Sequence, residues 1–272
     1  MSNIDDYGGK NWKKLWYKLE QDGNVGIDFI INPYLYREIA EFLVHHSGSK
    51  VVDFGAGTNI LAIQFMHGYQ SAIPGLKPIP NISEIRKNVD EFVGLEGSEQ
   101  LVLKAKNYLK DLGYPSNIDI QHFEIKHSNK TPFDNSSVAL AVSRNFLMHL
   151  EEKDFDYHIS EVARILKDGG KYILAFLNPE YEQKKYLDLH PHKTPLKVNE
   201  KYSFAHGSHG EYGIFFHYWK DIGAYEKIFK KHFKISGRIE CFPITESFKE
   251  QYPRYYQKDL PIAFVYTLIK EK

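Results

Sequence analysis

The chain has almost no cysteine and no excess of charge of either sign. Cys241 is the only cysteine among 272 residues, which excludes an intramolecular disulfide and a zinc site built from several cysteines. The 35 Lys and Arg residues balance the 35 Asp and Glu residues. A neutral chain lacks the basic footprint of a protein that binds a polyanion, so we expect no nucleic-acid partner.

Long apolar runs are also missing. No segment approaches the roughly 20 apolar residues of a membrane-spanning helix, and the polar start, residues 1–6, lacks the apolar core of a signal peptide. We therefore expect no membrane contact and a cytoplasmic location. The length and a hydrophobic content of 42% suit a single α/β domain over residues 1–272.

The most informative motif lies at residues 51–59, which read Val-Val-Asp-Phe-Gly-Ala-Gly-Thr-Asn. The β-branched start predicts a buried strand, Asp53 stands at its carboxyl end, and a helix is expected from about Thr58. Gly55 and Gly57 let the backbone approach a ligand that a Cβ would block. A helix amino terminus directs unpaired amides at such a ligand, so the motif favours a nucleoside site.

A second motif follows at the distance that a βαβ unit requires. Residues 91–101 form another apolar run that ends in an acid, Glu96, and then opens a helix through Gly97 and Ser98. An acid at the end of the second strand can accept hydrogen bonds from both ribose hydroxyls of a nucleoside. The two motifs together predict one nucleoside site.

Three further segments agree with the same pattern in order and spacing. Residues 131–142 form a Pro-Phe loop and a fourth strand, residues 143–150 follow that strand, and residues 161–174 contain a helix, a double-glycine turn and a fifth strand. With the two motifs, they resemble the class I S-adenosylmethionine-dependent methyltransferases, in particular the small-molecule branch. The similarity covers about residues 45–178.

This resemblance implies an α/β, Rossmann-like, doubly wound sheet of seven strands whose last strand is antiparallel. S-adenosylmethionine is the implied cofactor. The residues that the resemblance and the motifs assign to it are Asp53, Gly55, Gly57, Thr58, Asn59, Glu96, Gly97, Ser98, His127, Ser128, Ser143 and Asn145.

The chain departs from the family pattern at two places. The aspartate that commonly receives the adenine amino group is missing from residues 126–129, so His127, Ser128, Asn129 or a backbone carbonyl is expected to replace it. Asn59 stands where many relatives have a third glycine. Asparagine tolerates left-handed backbone better than most residues, so the turn can still form.

The remaining segments are expected to surround the sheet. Residues 1–46 predict a helical cover, with a second helix that opens at Pro33 and runs to about His45. Residues 178–216 are predicted to form a mobile lid after the fifth strand, at the sheet edge where such folds bind ligands. Residues 218–232, 233–242 and 262–270 predict the last helix and two last strands, in that order.

Candidate substrate contacts are Tyr17, Arg144, His206 and His209. The histidines of the lid lack the helical spacing and nearby acids of a zinc site, so no metal is expected. An alcohol or phenol acceptor needs a base, and histidine is the natural choice at neutral pH. His217 is the first candidate, because it lies where the lid rejoins the core, and His149 is the second.

The sequence therefore predicts a metal-independent methyltransferase that acts on an oxygen or nitrogen atom of a small metabolite. Two other hypotheses stay open. One is a member of the same fold that binds the cofactor for a structural or regulatory purpose, and the other is a nucleic-acid methyltransferase, which the neutral composition disfavours. The oligomeric state cannot be predicted.

Overall fold

The structure is a computed structural model that describes residues 26–59, 61–63, 82–111, 113, 117–205, 214–242 and 260–271. Helices in this part are α1 (Gly26–Val44), α2 (Ile82–Asn88), α3 (Glu99–Asp111), α4 (Glu152–Ile165), α5 (Pro179–Leu189) and α6 (Ile222–His232), with a 3-10 turn at Leu147–His149. The strands are β1 (Ser49–Phe54), β2 (Val89–Glu96), β3 (Ile118–His122), β4 (Val138–Arg144), β5 (Leu166–Leu177), β6 (Lys201–Ala205), β7 (Ile214–Tyr218), β8 (Lys234–Cys241) and β9 (Ala263–Ile269).

Seven strands form one sheet in the order β3-β2-β1-β4-β5-β9-β8. Strands β1 to β5 pair in parallel, whereas β9 is antiparallel to both of its neighbours. The central strands β1 and β4 are buried almost along their whole length, as expected for parallel strands covered on both faces. The predicted seven-stranded Rossmann-like sheet with an antiparallel last strand is confirmed.

The order of the strands reverses between β1 and β4, so ligands of such sheets bind beyond the carboxyl ends of these two strands. At those ends Asp53 pairs with Val142 and Phe54 pairs with Ser143. On the other side Asp53 pairs with Gly94 of β2. The two motifs found in the sequence therefore lie next to each other.

Helix α1 differs from its predicted bounds. It begins at Gly26 and contains Pro33 in its interior, and it ends at Val44. A proline inside a helix removes one backbone hydrogen bond, but the helix continues because the buried side chains on both sides of it, such as Ile31 and Leu35, pack in the core.

Two other predictions need correction. The last helix starts at Ile222 and not at Tyr218, because Asp221 caps it by accepting from the amide of Ala224 at 2.7 Å. Tyr218 instead pairs with Lys201 in the β6-β7 ribbon. The double glycine lies inside β5, where Gly169 (φ +76°) donates its amide to the carbonyl of Lys270.

The insertion after β5 has secondary structure of its own. Helix α5 begins at Pro179, and Asn178 caps it by accepting from the amide of Glu180 at 3.0 Å. Strands β6 and β7 then form a two-stranded ribbon outside the main sheet. The last described strand of the insertion therefore ends at Tyr218, two residues beyond the predicted boundary.

Among the described helices, none combines the length and the apolar character that crossing a membrane requires.

Candidate functional site

The glycine turn after β1 is held against the end of β2. The amides of Gly55 and Ala56 both donate to the carbonyl of Leu95, at 2.9 and 3.1 Å. Gly55 has φ +71°, and a Cβ there would lie 2.6 Å from Cδ2 of Phe146. Gly57 also has a positive φ, +59°, but a Cβ there would meet nothing within 4 Å. Gly55 is thus required for space and conformation, and Gly57 for conformation alone.

Glu96 joins this turn to the start of α3. Its Oε2 accepts from the amide of Gly57 at 2.9 Å, and its Oε1 accepts from the amide of Ser98 at 2.9 Å. Each carboxylate oxygen has a further lone pair, so hydrogen bonds to these amides leave acceptor capacity for a ligand. The predicted cofactor residues of β1 and β2 are brought together by this carboxylate.

The two acids of the site are both hard to ionise. Burial raises the pKa of Asp53 to about 7, and the charge of Glu96 acts in the same direction, while the Arg144 guanidinium opposes it. Burial also raises the pKa of Glu96, against the hydrogen bonds that it accepts from backbone amides. A cation placed beside these carboxyls would favour their ionised forms.

Asn59 follows the glycine turn and packs against the sheet. It is fully buried at φ +62°, and its Nδ2 donates to the carbonyl of Asp119 in β3 at 3.2 Å. A Cβ on Gly94 would lie 2.8 Å from Oδ1 of Asn59. Asn59 therefore ties the turn to the sheet, and Gly94, which the sequence analysis missed, provides the space for it.

Three more predicted cofactor residues lie next to Glu96 and the glycine turn. Thr58 follows the turn, and Gly97 and Ser98 precede α3. Thr58 is buried at 4% exposure, and Ser98 is fully buried, with its Oγ accepting from the amide of Leu101 at 3.4 Å. Gly97 follows Glu96, and a Cβ there would make an ordinary contact of 3.9 Å with the carbonyl of Phe123. Gly97 is thus beside the site without a steric need for glycine.

Three predicted residues follow one another at the end of β4. Ser143 is buried, and its hydroxyl lies 2.8 Å from that of Tyr172, which is 3.0 Å from Nε2 of His158. Arg144 donates through Nη1 to Oδ1 of Asn32 at 2.9 Å. The side chain of Ser143 is thus engaged within the core, so only its backbone is placed to line a methyl-transfer site.

Asn145 has the geometry of a ligand contact. Its backbone is left-handed, at φ +51°, and its amide donates to the carbonyl of Ala175 at 2.8 Å. Its buried Oδ1 has no hydrogen-bond partner among the described residues. A buried polar atom without a partner costs free energy, and it calls for a group that fills the site.

The predicted adenine contacts lie at the rim. His127 and Ser128 are exposed, and the amide of His127 donates to Oδ1 of Asp154, at the start of α4. The ring of His127 contacts that of Tyr157 edge to face at 5.3 Å. Both residues lie in the segment that follows β3. The hydrogen bond and the ring contact of His127 go to α4 and not to the glycine turn.

The two candidate bases contact each other. The rings of His149 and His217 are 4.8 Å apart and nearly perpendicular, at 85°. His149 Nδ1 is 3.1 Å from the carbonyl of Phe216. Burial lowers the pKa of both histidines to about 3, so each is neutral at physiological pH.

Two residues that the sequence analysis missed complete this cluster. Glu182 of α5 is buried, and its Oε1 lies 2.7 Å from His217 Nδ1 and accepts from the Tyr202 hydroxyl at 2.9 Å. Burial raises the pKa of Glu182 to about 7. The signal in the sequence was weak, because a single Glu in an otherwise polar helix does not differ from a solvated one.

Polar contacts also join the insertion to the core. Buried Lys220 donates to the carbonyl of Leu150 at 2.7 Å, and burial lowers its pKa to about 8. Trp219 Nε1 donates to the carbonyl of Pro179 at 3.0 Å. Asn199 Nδ2 reaches Glu152 at 2.7 Å. The described part of the predicted lid is therefore anchored around the start of α4.

Three predicted substrate contacts, Tyr17, His206 and His209, lie outside the described residues. Residues 1–25 of the predicted helical cover and residues 206–213 of the lid do so too. Among the residues that are described, no three His, Cys, Asp or Glu side chains are grouped so as to hold a metal ion.

One segment of the chain matches a known protein family. Residues 79–174 match the family model described as methyltransferase domain. The match spans β2 to β5 and includes Glu96 and the end of β4, while the glycine turn precedes it. The match covers about a third of the chain. Comparison with curated proteins finds no match.

Solved structures share the fold at low sequence identity. An S-adenosylmethionine-dependent methyltransferase from Methanosarcina mazei has 15% identity and a TM-score of 0.59, covering 86% of this chain and 97% of its own. A chain from the complex of the Haloferax volcanii Trm112 methyltransferase activator with a candidate methyltransferase has 14% identity and a TM-score of 0.58, covering 98% of each chain. The [4+2]-cyclase SpnF has 17% identity and a TM-score of 0.56, covering 88% of this chain and 81% of its own.

Proposed function

We propose that this chain, of which residues 79–174 match a methyltransferase domain, transfers the methyl group of S-adenosylmethionine to an oxygen or nitrogen atom of a small metabolite. The observation that carries the proposal is the joining of the Gly57 amide to the Glu96 carboxylate at the reversal point of the sheet. That carboxylate is where a nucleoside ribose is expected in a fold of this class.

The residues present fit this cofactor in three respects. The turn at Gly55 excludes any Cβ, which leaves its backbone open to a ligand. The buried Oδ1 of Asn145 needs a hydrogen-bond donor. The carboxyls of Asp53 and Glu96 place potential negative charge beside a ligand that is cationic at sulfur.

When bound, S-adenosylmethionine supplies an electrophilic methyl carbon on a cationic sulfur. The task of the protein is then mainly alignment, because an in-line displacement gains most from holding the two reacting atoms at the correct distance and angle. Ser143 and Asn145, at the end of β4, precede in the chain the 3-10 turn that carries His149, and we assign the backbone of Ser143 and the side chain of Asn145 to the methyl-transfer site.

For an acceptor that must lose a proton, His217 is the first proposed base and His149 the second. Burial lowers the pKa of both to about 3, so each is neutral, but each needs a compensating negative charge to hold a proton. The 3-10 turn that carries His149 follows Phe146, whose ring covers Gly55. His149 is therefore three residues along the chain from a side chain that packs on the cofactor turn, and the ring of His217 contacts that of His149.

The fold alone does not decide between methyl transfer and a cofactor with another purpose, since one neighbour of this fold is a cyclase. What favours methyl transfer here is the family match over residues 79–174. A small acceptor is favoured over nucleic acid by the balance of 35 basic and 35 acidic residues.

The test is the acceptor-dependent formation of S-adenosylhomocysteine. The full chain is incubated with labelled S-adenosylmethionine and a low-molecular-mass metabolite extract, and parallel samples receive tRNA or duplex DNA. We expect labelled product in the small-molecule sample only, and its loss when His217 is replaced by Gln. Binding of S-adenosylmethionine without methylated product in any sample would support the non-methylating hypothesis instead. Label in nucleic acid would support the third.

A further inference from the structure

The cluster at His217 is more than a pair of histidines, because a carboxylate fixes one of them. Glu182 Oε1 lies 2.7 Å from His217 Nδ1, within the range of a strong charge-assisted hydrogen bond. Both side chains are only 2% exposed. The same oxygen accepts from the Tyr202 hydroxyl, so two donors converge on it when the carboxylate is ionised.

We propose that Glu182 is a positioning residue that acts through His217: its carboxylate holds the proton of the imidazole on Nδ1 and so makes Nε2 the basic nitrogen. This proposal rests on the proposed function, because it assigns His217 the task of accepting the proton that an acceptor loses on methylation. It also narrows the acceptor to a group that carries such a proton, a hydroxyl or a protonated amine.

The proton balance gives Glu182 a second task. When the acceptor loses its proton, that proton moves to Nε2 of His217 and the neutral imidazole becomes a cation. A buried cation is costly unless a negative charge compensates it. Glu182, in contact with the opposite nitrogen, supplies that charge, in the way that a buried carboxylate supports the histidine of a hydrolase triad.

The ionisation of Glu182 also decides which nitrogen carries the proton. An ionised Glu182 can only accept, which requires Nδ1–H on His217. A protonated Glu182 can donate to Nδ1, which moves the imidazole proton to Nε2 and removes the base. Since the pKa of Glu182 is raised to about 7 by burial, this exchange falls near neutral pH.

Charged and titratable groups face the pair from every side. His149 lies on the 3-10 turn, Lys185 on α5, Tyr202 on β6, Lys220 after β7 and Tyr225 on α6. The charges of Lys185 and Lys220 lower the pKa of Glu182, and the hydroxyl of Tyr202 does so through its hydrogen bond. All three favour the ionised carboxylate and therefore the Nδ1–H form of His217.

The position of the His217 base depends on the packing of the insertion. Glu182 lies on α5, Tyr202 on β6 and His217 on β7, so the three side chains meet only when the ribbon packs on the helix. His217 is therefore set in its basic form by the same contacts that hold the insertion together.

The experiment reads the protonated nitrogen directly, in cofactor-free full-length protein labelled with ¹⁵N-histidine. Long-range ¹H–¹⁵N NMR is recorded from pH 5.5 to 8.5, with His217 assigned by its loss in His217→Gln. We expect Nδ1–H at high pH and a change toward Nε2–H with a midpoint near 7. Glu182→Gln should remove this pH dependence. Tyr202→Phe, the matched control, should keep it and raise the midpoint, because one hydrogen bond that stabilises the carboxylate is lost.

The proposal would be overturned if His217 of the wild type carried its proton on Nε2 at pH 8.5. This measurement needs only the wild-type protein once His217 is assigned. A pH-dependent exchange that persists in Glu182→Gln would do so as well. In turnover with an acceptor from the metabolite assay, Glu182→Gln should lower kcat at least tenfold and leave the KM for S-adenosylmethionine within twofold. If no acceptor is methylated, the proposed function fails, while the NMR result still decides the role of Glu182.

Discussion

The amide of Gly57 donates a hydrogen bond of 2.9 Å to Oε2 of Glu96, across 39 residues of sequence. This bond joins the turn after β1 to the end of β2, at the edge where the strand order reverses. The carboxylate thereby holds the glycine turn, and it is the group that we propose to bind the ribose. The predictions below follow from this arrangement and from the buried groups around it.

Replacement by alanine should destabilise the protein more at Gly55 than at Gly57. Gly55→Ala combines left-handed strain with a Cβ placed 2.6 Å from the Phe146 ring, whereas Gly57→Ala adds strain without a contact within 4 Å. Left-handed strain alone costs about 1 to 2 kcal/mol. Urea unfolding should therefore show a larger loss of stability in Gly55→Ala. Equal losses would mean that Phe146 moves aside without cost.

Binding of S-adenosylmethionine should release a proton at slightly acid pH. Burial raises the pKa of Asp53 to about 7, and a cationic ligand favours its ionised form, so the group loses its proton on binding. Calorimetry at pH 6 in buffers of different ionisation enthalpy measures this release. S-adenosylhomocysteine, with a neutral sulfur, should release less, and Asp53→Asn should remove most of it. An enthalpy independent of the buffer contradicts the prediction.

His158 should make the wild type sensitive to acid. Burial lowers its pKa from 6.5 to about 3, so the unfolded chain binds the proton first and stability is lost as pH falls below 6.5. From pH 8 to pH 5 this amounts to about 2 kcal/mol. Between pH 8 and pH 5 the wild type should lose this amount of unfolding free energy relative to His158→Gln, so the difference between the two proteins should shrink accordingly. Tyr172→Phe, which keeps His158, should retain the pH dependence of the wild type, and a constant difference between wild type and His158→Gln would refute the assignment.

Turnover should survive exhaustive chelation. The described residues contain no group of three His, Cys, Asp or Glu side chains able to hold a metal ion, and the sequence spacing of the lid histidines does not match a zinc site. Metal analysis of the purified protein and an assay after chelation check this. A stoichiometric metal whose removal stops turnover would contradict the prediction.

Part of this site was predictable because it depends on local sequence. A strand that ends in an acid and is followed by a glycine turn is visible in the sequence, so the sequence alone predicts Asp53, Gly55 and Glu96 as cofactor residues. The seven-stranded sheet with its antiparallel last strand followed from the resemblance. Helix bounds were less accurate, since Pro33 is tolerated inside α1 once the helix packs on the core.

The rest depends on contacts between distant residues. Glu182 and His217 are 35 residues apart, and nothing in the polar sequence of α5 marks one carboxylate as buried. Gly94 likewise matters only because Asn59 lies against it. Such relationships arise from how the insertion and the turn pack, which no periodicity or motif records.

The most direct test of the account is a calorimetric titration of S-adenosylmethionine into the full chain and two variants of β2. Glu96→Ala removes the carboxylate at the cofactor edge, whereas Glu91→Ala, the matched control, removes one at the opposite end of the strand, paired with Lys50 at 2.7 Å. Hydrogen bonds to a charged group contribute about 1.5 to 3 kcal/mol, so Glu96→Ala should weaken binding at least tenfold. Glu91→Ala should bind within twofold of the wild type. No binding to the wild type, or equal affinity in all three proteins, would contradict the account.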